Sequence, residues 1–281
     1  MIDQFSNLAH FDNRYKILSL VDDFKKCRVY LAIETSTHRK VALKVYSSDE
    51  FEKYDPAIEV MHELRHPNII TVLRQIQDQQ YHAYSMPYIP SGDLYFQLQN
   101  DFKFTMETML NAVYCLCSVV RHMHELRYVH GNIRLENILV KETSNGPEFF
   151  LTGFSYARKD FISIVDRDLV DIYIPNEARL KRTLTAKSDV YALGHVFYFM
   201  MDTISVDGLD QEGENDLNLL KQLISSMITD EESERYNINE CLTHPYTTKF
   251  YNNSKPTLLI EAQSMFLALD SVFGDADLYI P

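Results

Sequence analysis

The stretch HGNIRLENILV, residues 130–140, has the rhythm of an enzyme's catalytic loop. Such a loop needs a carboxylate to take a proton from a hydroxyl. Here the position carries Asn132, and an amide has no pKa suited to that task. Glycine, which lets backbone N–H groups approach phosphate, is scarce at 8 of 281 residues. Average usage of about 7% would give about 20, so a glycine-rich phosphate loop is not expected. The four cysteines, Cys27, Cys115, Cys117 and Cys241, form no CxxC pair and no Cys/His cluster with zinc spacing. Reduced thiols in a cytosolic protein are the expectation, with no metal site.

These residues must be held by two kinds of element. YKILSLV, CRVYLAIET and VALKVY, between residues 11 and 46, are β-branched and aromatic with partial alternation, and predict three strands. A helix follows near 50–65, where Phe51, Tyr54, Ile58 and Met61 share one face. Asp55 and Pro56 fit an N-cap and first helical position, the alternative being a kink at Pro56 within a longer helix. NIITVLRQIQ and YHAYSMPYI predict two further strands, and the boundary PYIPSGD ends this β-rich part. Beyond it the pattern is helical. Met109, Leu110, Val113, Leu116, Cys117, Val120 and Met123 line one face of 105–126. KSDVYALGHVFYFMM is apolar almost all round, as a core helix would be. Leu217, Leu220, Leu223, Ile224, Met227 and Ile228 mark another amphipathic helix, and Asn237 with Glu240 reads as a capping box.

Eight segments in order resemble the motifs of the eukaryotic protein-kinase domain. They are VALK, LRHPNII, MPYIPSGDLY, VHGNIRLENILV, FFLTGFSYAR, YIPNEA, KSDVYALG and ERYNINECLTHPY. The chain is most similar to Ser/Thr kinases of the calmodulin-dependent type, over residues 13–248. The resemblance implies an α+β fold of two lobes. A small β-rich N-lobe with one main helix would span about 13–89, and a larger, mainly helical C-lobe about 90–248. Residues 249–281 would be a tail, partly helical, with Leu259, Met265, Phe266, Leu269 and Phe273 on an apolar stripe.

The resemblance also assigns roles, residue by residue. The three glycine positions of the phosphate loop fall on Asp22, Phe24 and Cys27. Asp22 and Asp23 place negative charge near phosphate, worth up to about 4 kcal/mol at ~4 Å and an effective dielectric of 20. Lys44 stands at the third-strand lysine, and Ala57 where its helix glutamate would be; Glu59 and Glu63 lie on other helix faces. Asp22 or Asp23 would be alternative partners for Lys44. Met86 is the gatekeeper, and Ile89 keeps the hinge N–H for adenine. Gly131 replaces the arginine that clamps a phosphorylated activation loop, Asn132 the base, and Arg134 the loop lysine. Asn137 is retained as one metal ligand, but Gly153 replaces the metal-binding aspartate. Structural positions are kept: the Glu177–Arg235 ion pair, Asp189 behind the catalytic loop, and a stack of Met61, Val72, His130 and Phe154. Val29, Ala42, Leu139, Val196 and Met200 fit a second stack.

Together these readings predict that the chain is not an enzyme but a pseudokinase, a scaffold or allosteric regulator in signalling. No catalytic set would be intact, ATP binding would be weak or absent, and no Mg²⁺ would bind. The alternative is an atypical, weakly active Ser/Thr protein kinase, or a nucleotide sensor without transfer. The expected partner is a protein, an active kinase or its substrate. The net charge of −13 argues against nucleic acid and anionic membranes. The first residues, MIDQFSNLAHFDNRYK, are too polar and acidic for a signal peptide, and the most apolar run is shorter than the roughly 20 residues of a membrane span. A cytoplasmic location is therefore expected.

Overall fold

Alternating side chains build the first lobe. A computed structural model describes residues 10–11, 13–24, 27–47, 57–77, 81–164 and 171–253. Strands β1 (His10–Phe11), β2 (Tyr15–Asp23), β3 (Cys27–Glu34), β4 (Lys40–Ser47), β5 (Arg74–Gln77) and β6 (Tyr81–Pro87) form one antiparallel sheet, ordered β1-β2-β3-β4-β6-β5. The period of two sorts its faces. Tyr30, Ala32, Val41, Leu43, Val45 and Ala83 bury one face with Tyr15. Cys27, Tyr46, Tyr84 and Met86 face the other way, into the main core with helix α1 (Ala57–Glu63). Lys44 therefore projects from the same face as Ala42 and Tyr46, the face turned toward the second lobe.

The second lobe is held by helices that the sequence caps. After α2 (Leu94–Gln99), capped by Asp93, comes α3 (Met106–Glu125). Thr105 Oγ1 accepts from Thr108 N at 3.1 Å, while Thr108 Oγ1 accepts from Thr105 N at 2.8 Å. The chain continues through β7 (Tyr128–Val129), a 3-10 turn at Leu135–Asn137, β8 (Ile138–Lys141), β9 (Glu148–Leu151) and a second 3-10 turn at Phe154–Tyr156. Short strands β10 (Arg158–Lys159) and β11 (Ile162–Ser163) follow, then α4 (Asn176–Lys181) and β12 (Thr183–Leu184). The end is helical: α5 (Ala186–Met201), α6 (Gln211–Met227), α7 (Ile238–Thr243) and α8 (Pro245–Asn253). Helix α5 is buried along most of its length, as its unbroken apolar run predicts.

Three expectations shift. NIITVLRQIQ is a strand only at Arg74–Gln77, because its first half leaves the sheet. There Ile69 bridges Leu151, Ile70 N donates to Leu151 O at 3.1 Å, and Leu151 N donates to Asn68 O at 2.8 Å. Helix α6 begins at Gln211, before its apolar stripe, because the Asp210 carboxylate caps it through Gly213 N at 2.9 Å. Helix α8 runs past the expected boundary at 248, with Phe250 stacked on Tyr114 at 4.0 Å. Phe51, Tyr54, Asp55, Pro56 and the tail stripe from Leu259 to Phe273 lie outside the described residues. Among the described residues, no helix is long and apolar enough to cross a membrane.

Candidate functional site

The loop after β7 is organised from behind by one carboxylate. Asp189, in the first turn of α5 and 1% exposed, accepts from His130 N and Gly131 N, both at 2.8 Å, and meets His124 Nε2 at 3.0 Å. Two backbone donors and an imidazole satisfy a carboxylate that burial would otherwise penalise. His130 is fully buried. Its Nδ1 accepts from Asn132 N at 3.1 Å, and its Nε2 donates to Thr152 O at 3.0 Å, since a carbonyl can only accept. The ring lies edge-on against Phe154, centroids 4.9 Å apart. Phe154 and Met61 lie in the main core, with Val72 packed against it. Val196 and Met200 are buried in that core, with Ala42 and Leu139 packed against it.

The positions for base and metal are occupied differently. Asn137 Nδ2 donates to Asn132 O at 2.8 Å, which fixes the amide within the loop. Gly153 sits beside it in the left-handed region, φ 83°. A Cβ added there would lie 2.4 Å from both Cγ and Oδ1 of Asn137. Any side chain at 153 would have to shift the Asn137 amide. The two positions thus offer one neutral amide oxygen. A hard divalent cation prefers several, largely anionic oxygens, so these residues do not fit Mg²⁺. Among the described residues, no group of three or more His, Cys, Asp or Glu side chains is placed to hold a metal ion.

Lys44 reaches from the sheet to the second lobe. Its Nζ donates to Ser155 Oγ at 3.3 Å and lies 5.2 and 5.7 Å from the ring centroids of Tyr46 and Tyr84. The alternative partners suggested by the sequence are engaged within their own hairpin. Asp23 accepts from Arg28 Nε at 2.9 Å, and Asp22 Oδ1 from Asp23 N at 2.9 Å. Phe24 N closes this hairpin on Cys27 O at 2.9 Å; Phe24 is half-exposed and Cys27 buried. Ala57 is fully buried, an apolar filler in the helix–sheet interface. Glu63, one turn and a half further on, ties α1 to the second lobe instead. Its Oε2 accepts from Tyr128 Oη at 2.7 Å and Lys159 Nζ at 3.0 Å, and these bonds, Tyr128 first, hold its carboxyl below the usual range. Tyr128 and Lys159 face each other across β7 and β10. Nothing in the local sequence announces this triad, which joins residues 65 positions apart.

Gly131 exchanges a charged clamp for an apolar one. Its φ is 68°, and a Cβ there would lie 2.3 Å from Ile162 Cδ1 and 3.3 Å from Leu184 Cδ1. Strands β11 and β12 pair Ile162 with Leu184, and both join a buried cluster with Val129, Ile164, Ile174 and Ala178. Further along, Arg235 Nη1 donates to Glu177 Oε1 at 2.6 Å, and its guanidinium lies 4.9 Å from the Tyr191 ring centroid. Arg134 turns back within its own loop. It makes two 2.9 Å bonds to Glu136, a third at 3.4 Å to Asp171, and lies over Tyr173 at 5.5 Å. With Asn132, Tyr95 and Phe199 it lines a cleft of about 1020 Å³ between α2 and the segment before α4. Met86 is buried on β6 opposite Ala42, and Ile89, just past that strand, packs against the core while its carbonyl accepts from Gly92 N at 3.2 Å.

Comparison with known proteins places these features. Residues 25–247 match the model of the protein kinase domain. Serine/threonine-protein kinase DCLK1 of Rattus norvegicus is 25% identical over 268 residues, covering 85% of this chain and 61% of that protein. Myosin light chain kinase 2, skeletal/cardiac muscle, of Rattus norvegicus is 26% identical over 260 residues, covering 79% and 40%. Serine/threonine-protein kinase DCLK2 of Homo sapiens is 24% identical over 265 residues, covering 84% and 34%. The chain thus spans less than two thirds of each of these relatives. These findings overturn the expectation of a non-enzyme, because both the domain and the relatives are those of phosphotransferases. The physical flaw is to treat the four replacements together as excluding transfer. Phosphoryl transfer rests mainly on positioning and charge, so a missing base lowers a rate without defining the class. From sheet to closing helices, the chain belongs to the protein kinase domain family.

Proposed function

We propose that the chain is an atypical serine/threonine protein kinase with a slow phosphotransfer step, acting on or through a protein partner. The observation that carries this reading is the catalytic loop held by Asp189 from behind while Asn132 lines the open cleft in front. That cleft suits an extended protein segment rather than a buried small molecule. Asn132 can orient a substrate hydroxyl by hydrogen bonding but cannot accept its proton. General-base catalysis contributes roughly 10²- to 10⁴-fold. Its loss leaves proximity and orientation, which supply several kcal/mol in well-positioned reactions. Lys44 is the cation that faces the nucleotide phosphates, and Met86 and Ile89 border the adenine position. Nucleotide affinity is low, because Asp22, Phe24 and Cys27 replace a glycine loop. The partner is a protein, an active kinase or its substrate, met in the reducing cytoplasm that four free cysteines suit.

The test is transfer of labelled phosphate from ATP to a generic Ser/Thr protein substrate, comparing wild type with Lys44→Ala. Slow incorporation that Lys44→Ala abolishes supports the proposal. Incorporation that survives unchanged in Lys44→Ala points to a contaminating kinase. No incorporation above a heat-denatured control, with nucleotide still bound, would leave a nucleotide sensor.

A further inference from the structure

We infer that the cleft between the sheet and the catalytic loop takes a nucleoside phosphate as its free anion, without a divalent cation, with Lys44 supplying the counter-charge. The inference deepens the nucleotide-using reading above and rests on it for the ligand class. Two neutral residues stand where the family resemblance puts carboxylates, Asn132 at the base position and Gly153 at the metal-binding position. The metal-binding carboxylate holds the cation, and the cation screens both carboxylates from the phosphates. With neither carboxylate present, the local repulsion that a cation would screen is absent.

Packing fixes that state. The Asn137 amide is bonded to Asn132 O at 2.8 Å and fills the space over Gly153, where a Cβ would come within 2.4 Å. A side chain at 153 would thus meet the Asn137 amide before it could offer a ligand atom in its place. Lys44 Nζ, from β4, reaches the residues just beyond Gly153, at 3.3 Å from Ser155 Oγ. An ammonium with three donors and a rotatable hydroxyl form a site for phosphate oxygens. Two aromatic rings beneath the ammonium, Tyr46 and Tyr84, hold it toward the cleft. Asp23 is neutralised by Arg28 at 2.9 Å. Asp22, the other acid at the turn end of the hairpin, opposes the ligand.

The experiment is calorimetric titration of the full chain with ADP and with ATP, in EDTA and in excess Mg²⁺. Wild type should bind in EDTA with an affinity within about threefold of that in Mg²⁺. Lys44→Met should weaken binding at least tenfold in EDTA, and Asp22→Asn should tighten it. Gly153→Asp should not confer Mg²⁺ dependence, because its side chain collides with Asn137. Binding that appears only with Mg²⁺, equal binding by Lys44→Met, or no binding of either nucleotide at millimolar concentration each overturns the inference. The two readings fail separately. Mg²⁺-dependent transfer without binding in EDTA sinks this inference and leaves the kinase reading, whereas metal-free binding without transfer does the reverse.

Discussion

Gly131→Ala tests whether an apolar lock has replaced a charged clamp at the activation segment. The added methyl meets two separable costs. A non-glycine residue at φ 68° carries about 1–2 kcal/mol of backbone strain. Its Cβ also falls 2.3 Å from Ile162 Cδ1, within a buried cluster, and overpacking of this kind costs about 1–3 kcal/mol. The single variant should therefore lose about 2–5 kcal/mol, the sum of those two ranges. Ile162→Val removes only the colliding Cδ1. In the wild-type background it should cost about 0.5–1.5 kcal/mol, as methylene deletions do. In the Gly131→Ala background the same change relieves the collision, since the next Ile162 atom, Cγ1, lies at an ordinary 3.6 Å. There it should be neutral or stabilising. The double-mutant cycle thus predicts a coupling of about 1–3 kcal/mol of opposite sign to the single effects. Urea denaturation of the four proteins gives the cycle. Hydrogen exchange at Ile164 N, bonded to Arg182 O at 3.0 Å, reports the segment itself. An Ile162→Val cost that is equal in both backgrounds would refute the packing argument, whatever Gly131→Ala does alone.

Asn132→Asp supplies a carboxylate at the position lining the cleft, and transfer at saturating nucleotide should rise about 10²-fold or more; an unchanged rate would show that Asn132 is not at the reacting hydroxyl. Glu177→Ala leaves the fully buried Arg235 side chain without its 2.6 Å partner and should lower unfolding free energy by about 3–5 kcal/mol in denaturant titration. Burial, then the neighbouring His122 and Arg121, lowers His66 to about 4. A folded pKa below the unfolded value of about 6.5 means stability is fully present above pH 6.5 and lost as pH falls toward 4, by roughly 3 kcal/mol in all. Chemical denaturation between pH 7 and 4 measures this, and His66→Gln should remove about one proton's worth of slope, about 1.4 kcal/mol per pH unit.

Much of the scaffold is legible because it repeats locally. The heptad-like faces of α3 and α6, the capping box at Asn237 and the alternation of β4 each follow from spacing within one element. The Glu177–Arg235 pair and the Asp189 anchor follow from the family resemblance, since each motif residue lies where its element puts it. What spacing does not carry is the destination of a long side chain. Lys44 meets Ser155, 111 residues away, rather than the acidic pair in the adjoining hairpin. Arg134 bends to Glu136 two residues on, and Glu63 finds Tyr128 and Lys159. These outcomes depend on lobe-to-lobe register, and a rotamer-rich side chain can satisfy its charge in several places. The Gly131–Ile162 contact was hidden for a related reason. The sequence shows a lost arginine but not what fills the space it leaves.

The residues kept and the residues replaced differ in what their removal would expose. Asp189, His130 and Arg235 are buried, and each satisfies several polar partners. Replacing one strands those partners away from water, at about 1–3 kcal/mol for a neutral group and more for a charge. Against a typical total stability of about 5–15 kcal/mol, such a change threatens folding itself. The replaced positions carry no comparable debt. Asn132 gives its carbonyl to Asn137, Gly153 is covered by that same amide, Gly131 is covered by Ile162, and Ala57 packs as a small apolar group. Every local loss is met by a neighbour, so the fold tolerates all four together. On the proposed reading, the cost of these substitutions falls on rate and ligand preference rather than on architecture. That is why kinetic and binding measurements, not stability, distinguish the readings of this site.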